Sequence, residues 1–153
     1  MAYEPKGRYW DDFKVGETFE TAARTVEAGD VSLFAGLSGD FNPLHLNEEF
    51  AKTTPFGGRV AHGILTLAIS NGHQNQLGIF EGTTLALLGI DRIRFTGPVR
   101  LGDTVHTAMT IKETKPSSKP DRGVVTYEVA VKNQKGETVM HCEQSVLMMR
   151  RRG

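Results

Sequence analysis

Cysteine is nearly absent. Cys142 is the only one in 153 residues, so no intramolecular disulfide can form and nothing points to an oxidising compartment. An excess of charge is missing too, with Lys plus Arg and Asp plus Glu at 18 each. That balance argues against broad attraction to nucleic acid or an anionic membrane, although a local basic patch can still exist. It also does little to discourage self-association. Long hydrophobic runs are lacking. The longest charge-free stretch that leans apolar, residues 60–80, is broken by His62, Gly63, Ser70, Asn71, Gly72 and His73 and is too polar to span a bilayer. Met1 to Lys6 contain no apolar segment of the kind a secretory leader needs. Internal repeats, low-complexity blocks and linkers are absent as well. The expectation is one cytoplasmic domain over residues 1–153, its 39% hydrophobic residues enough for a single core.

What is present alternates between strand and helix signals. Residues 15–26 carry β-formers in rough alternation and predict a first strand. Asp30 stands where an N-cap would, before Val31, Phe34, Ala35 and Leu37 on one helix face. Ser38-Gly39-Asp40 ends that helix. Asn42-Pro43 predicts a turn with Asn capping and Pro at the first position, and Asn47 caps a second short helix through Ala51. Gly63 to Gly72 is small or apolar on all sides and uncharged, the pattern of a helix buried nearly all round. Strands are expected near 83–99, 103–115, 122–133 and 137–149, as a four-stranded meander. They are punctuated at Gly97-Pro98, Leu101-Gly102-Asp103, Pro116 to Pro120 and the hairpin turn Asn133 to Gly136. This order reads as α+β, an antiparallel sheet wrapped around one central helix. A parallel α/β sheet is excluded because no crossover helix fits after residue 99.

Ser38-Gly39-Asp40-Phe41-Asn42-Pro43-Leu44-His45 sets a carboxylate and an imidazole five residues apart across a Pro turn. Phe56 to Gly63 then leads into the expected buried helix. Taken alone, Asp40 reads as a turn-capping carboxylate and His45 as an ordinary loop histidine, since Asp and Asn favour such turns. The longer pattern argues otherwise. The sequence resembles the MaoC-like, or R-specific, 2-enoyl-CoA hydratases. The likeness rests on residues 38–45, on Glu49-Phe50-Ala51, on Val60-Ala61-His62-Gly63-Ile64-Leu65 and on the interval from His45 to Gly63. Phe95 to Val99 with Gly102-Asp103-Thr104 resembles the family's later strand-turn-strand, and the likeness covers roughly residues 10–150.

The resemblance implies a hot-dog fold, with a central helix near 63–78 and a helical overhang near 30–57. It implies reversible hydration of trans-2-enoyl-CoA to (R)-3-hydroxyacyl-CoA, in fatty acid metabolism, by a homodimer or larger homo-oligomer. In that reading Asp40 and His45 jointly hold the water, Asn42 orients them from behind, and the Gly63 N–H receives the thioester oxygen. The chemistry suits these residue types. Free carboxyl and imidazole groups titrate near about 3.9 and 6.5, so on one water one can accept a proton while the other donates. Which does which stays open, because the pair titrates as a unit. A Gly at a helix start leaves its N–H free at the positive end of the dipole, though close backbone packing would explain Gly63 equally.

Other features carry less. His62 is read as structural. His73, His106 and His141 share no ligand spacing, so no metal is expected, and no cofactor beyond the coenzyme A thioester substrate, with acyl carrier protein as another carrier. Arg59 and Arg94 are candidates for the coenzyme A phosphates, and Arg150-Arg151-Arg152 is read as a solvated tail. An acyl thioesterase would place its carboxylate on or near the central helix, where residues 64–77 have none. A non-catalytic thioester-binding or partner subunit would not need the Asp40 and His45 pair.

Overall fold

The computed structural model describes residues 3–151. Six strands and four α-helices follow in the order β1 Thr18–Glu20, β2 Arg24–Thr25, α1 Ala28–Ser38, α2 Pro43–Leu46, α3 Glu48–Lys52, α4 Gly63–Gln76, β3 Thr84–Phe95, β4 Thr104–Pro116, β5 Arg122–Lys132 and β6 Thr138–Met149. The strands form one antiparallel sheet ordered β1-β4-β5-β6-β3, with β2 also on β4. Its inner face is set by strict alternation. Val105, Thr107, Met109 and Ile111 of β4, Val125, Tyr127, Val129 and Val131 of β5, and Met140, Cys142, Val146 and Met148 of β6 are all buried. Leu65 and Ile69 of α4 complete this core from the other side, each worth about 1.5–3 kcal/mol when fully buried. A sheet closed over one helix is the hot-dog arrangement.

Four expectations change. The segment 15–26 is two short strands, since Thr21-Ala22-Ala23 interrupts it and alanine is a poor strand former. The N-cap of α1 is Glu27, and Asp30 sits one turn inside, its Oδ2 accepting the Glu27 N–H at 2.9 Å. The last four strands are not a meander: β3 pairs with β6, so the chain crosses over from the β3 edge to begin β4 on the far side of β5. Helix α4 is buried on one face only, leaving Ile64, Ala68, Asn71, Gly72 and Asn75 exposed as a stripe. Arg150 and Arg151 are exposed, as expected of a solvated tail, and they also make contacts with the N-terminal segment. They pair with Asp11 at 3.9 Å and Asp12 at 2.8 Å and lie over the Trp10 and Tyr9 rings, because the N-terminal acidic pair attracts them. Arg152 lies outside the described residues.

The buried face of α4 is less apolar than its sequence suggests. The Tyr127 hydroxyl donates to Gln74 Oε1 at 3.1 Å, and Gln74 Nε2 donates to Ser70 Oγ at 3.3 Å. Thr107 Oγ1 also donates to Ser70, at 3.1 Å, and so accepts from His73 Nδ1 at 3.3 Å. This closed row satisfies most of the polar groups under the helix, as burial demands.

Candidate active site

Helices α1 to α3 carry the site's first half. Helix α1 stops where Gly39 takes a left-handed conformation, φ +77°, and its N–H bonds the Ala35 carbonyl at 2.8 Å. The chain then turns through Asp40, whose Oδ1 accepts the Asn42 N–H at 3.2 Å and whose own N–H reaches Ser38 Oγ at 3.2 Å. Asn42 caps α2 through its Oδ1, which takes the Leu44 N–H at 3.0 Å, with Pro43 at the first helical position. Asn42 thus caps the short helix that carries His45. Asn47 caps α3 in the same way, on the Phe50 N–H at 3.0 Å.

His45 is half-buried, and its Nδ1 lies 2.7 Å from the Val60 carbonyl. A carbonyl can only accept, so Nδ1 carries the hydrogen and Nε2 is the free nitrogen. His62 behaves likewise. Its Nε2 donates to the Asp40 carbonyl at 3.0 Å, while its Nδ1 is buried without a partner. The two imidazoles stack with centroids 3.8 Å apart and planes 32° apart, and the Phe34 ring packs 5.0 Å from His62. Asp40, His45 and His62 each offer one ligand-capable atom, all within 4.8 Å of one another. Such a trio can hold a water between a carboxylate and an imidazole. It also has the donor types that bind a divalent cation, with each imidazole braced on a backbone carbonyl as metal ligands are. This cation-capable group is distinct from His73, His106 and His141, for which the sequence predicts no metal site.

Gly63 opens α4 directly after His62, so its N–H has no partner within the helix. It lines the same cleft as His45. That cleft, about 370 Å³, is walled by Leu44, Phe56, Val60, Thr66, Phe95 and Val99 among others, and it is chiefly apolar. A side chain on Gly63 would also meet the Phe95 ring at 3.1–3.2 Å, so close packing and a free N–H coincide at this residue. Of the residues proposed for phosphates, Arg59 pairs with Glu48 at 3.1 Å and Arg94 donates to the Ile93 carbonyl at 2.8 Å. Neither contact involves the cleft.

Residues 12–133 match the MaoC like domain. The chain belongs to the MaoC-like family. Among MaoC-like relatives it is 35% identical over 144 residues to the (R)-specific enoyl-CoA hydratase of Rhodospirillum rubrum, covering 92% of this chain and 91% of that one. It is 35% identical over 133 residues to the 3-hydroxybutyryl-CoA dehydratase of Methylorubrum extorquens, covering 84% and 80%. A solved structure described as a monoamine oxidase regulatory protein from Archaeoglobus fulgius superposes with a TM-score of 0.88 at 37% identity, covering 95% of this chain and 97% of that one. The MaoC-like fold and the hot-dog sheet are therefore common ground between sequence, structure and relatives. His62, read from the sequence as structural, is buried in this cluster. Its direct attachment to Gly63 was a signal, but its bond to Asp40 spans 22 residues and belongs to tertiary structure.

Proposed function

We propose that this MaoC-like protein adds water across the double bond of trans-2-enoyl-CoA to give (R)-3-hydroxyacyl-CoA, and runs the reverse dehydration. The observation that carries this reading is the convergence of the Asp40 carboxylate and the His45 imidazole beside an apolar cleft that Gly63 also lines. An enoyl chain lies in the cleft with its thioester oxygen on the Gly63 N–H, and the water sits between Asp40 and His45 Nε2. The water's oxygen bonds to C3 as C2 gains a proton, and the developing enolate charge falls on the oxygen held by Gly63. The Asp40 and His45 pair supplies both proton transfers, so the reading calls on no metal or cofactor of the protein's own. A second copy of the chain is part of it. One free edge of the sheet is β3, where Leu85, Leu87, Leu88 and Phe95 are exposed and Phe95 reaches Gly63 at the start of α4.

The test follows loss of enoyl-thioester absorbance with crotonyl-CoA and longer substrates. Asp40→Asn and His45→Gln each remove most of kcat, and the double variant is no worse than the singles, since groups acting as a unit are not additive. Coupling to an S-specific 3-hydroxyacyl-CoA dehydrogenase yields little reduced cofactor. Strong coupling overturns the R assignment, and a single variant with wild-type kcat overturns the pair.

A further inference from the structure

We propose that His62 is a positioning residue that locks Asp40, His45 and the Gly63 N–H into one rigid unit, an inference that rests on the hydration reading above. The side chain is 2% exposed, yet its Nδ1 has no hydrogen-bond partner. A residue kept here only to fill space would do better as Phe or Leu, which bury no unsatisfied nitrogen. What imidazole adds is the Nε2 hydrogen bond to the Asp40 carbonyl at 3.0 Å.

That bond matters because the other hydrogen bonds of the Asp40 turn are local. The Asp40 N–H reaches Ser38, the Phe41 N–H reaches Gly39 at 3.1 Å, and the Asn42 N–H returns to the Asp40 carboxylate. These shape the turn without fixing where it sits. His62 alone among the described hydrogen bonds ties the turn to the start of α4. The same ring is the platform on which the His45 imidazole stacks at 3.8 Å, so His45 is held by Val60 at its Nδ1 and by His62 at its face. The backbone of His62 does a third thing. As N-cap, with φ −59° and ψ 139°, it sets the direction in which the next peptide plane presents the Gly63 N–H. A single residue, by side chain and backbone together, thus fixes the proton-transfer pair relative to the oxyanion donor. Misplacement of reacting groups by about 1 Å costs roughly 10²-fold in rate.

Two substitutions separate the contacts. His62→Phe keeps the stacking face and loses the donor, and His62→Gln keeps an amide N–H near the place of Nε2 and loses the ring. With crotonyl-CoA, His62→Phe is expected to lower kcat by about 10²-fold while KM stays within about threefold. His62→Gln is expected to recover at least tenfold of that loss, with both variants folded by circular dichroism. A readout without substrate runs alongside: hydrogen exchange at the Phe41 and Asn42 amides speeds up in His62→Phe and stays near wild type in His62→Gln. A Phe variant with wild-type kcat, a Gln variant no better than Phe, or exchange unchanged in the Phe variant overturns the inference. A wild-type protein that hydrates no enoyl-CoA sinks the hydration reading instead, and the exchange result then decides the positioning role by itself.

Discussion

Gly63 holds two properties in one atom position, and they can be pulled apart. Its N–H is unpaired within α4, and its missing side chain leaves room for the Phe95 ring. Proline is tolerated at a first helical position, and the extended backbone of His62 suits a residue preceding proline. Gly63→Pro therefore deletes the donor while leaving the helix, and is expected to cost on the order of 10²–10³ in kcat. Gly63→Ala keeps the donor but crowds Phe95, which is 46% exposed and has room to yield. The clean comparison uses a Phe95→Leu background, where crowding is relieved for both. There Ala is expected to return close to the background rate and Pro to stay low. Equal rates for the two would assign Gly63 to packing alone.

At the level of elements, the helix that presents this glycine hides a histidine. His73 is 2% exposed against β4, and burial first, then the positive charges of Arg24 and His106, hold its pKa below the usual imidazole value. In the unfolded chain the ring gains its proton near pH about 6.5, whereas the folded protein resists it to lower pH. Below that point the unfolded state binds the extra proton, so His73 withdraws stability as pH falls from about 6.5 through its folded value, and withdraws none above. Wild-type Tm is expected to drop between pH 7.5 and 5.5 more steeply than that of His73→Gln, and parallel curves would dismiss the idea. This histidine also marks what could be read from the chain alone. Strands β4 to β6 were legible because Val, Thr and other β-formers alternate with polar residues at a period of two, and β3 from its apolar run between turn residues. The turn around Asp40 and Asn42 was legible because its capping chemistry is local. The neighbours of β3 were not, since alternation names a buried face and says nothing about which strand lies alongside. Nor was the polar row of Ser70, Gln74, Thr107 and Tyr127, whose partners come from residues up to 53 apart.

The whole molecule leaves apolar surface that a single chain does not cover. Leu87 and Leu88 on the β3 edge are 54% and 53% exposed, and Ile64 on the open stripe of α4 is 56% exposed. Among the described residues no helix is long and apolar enough to cross a membrane. Phe95 at the end of β3 reaches the start of α4 at Gly63, and this unpaired edge is where the proposed second copy would pair. Stable pairing of this kind buries about 800 Å² per partner. Leu88→Lys and Ala68→Glu test this from two elements. Both positions are exposed, so in a working monomer each change is worth no more than about 0.5 kcal/mol. In a dimer each buries an unpaired charge, and light scattering is expected to show dissociation with kcat/KM falling on dilution. Variants that remain dimeric and fully active, or a wild type that scatters as a monomer at assay concentration, would confine the site to one chain.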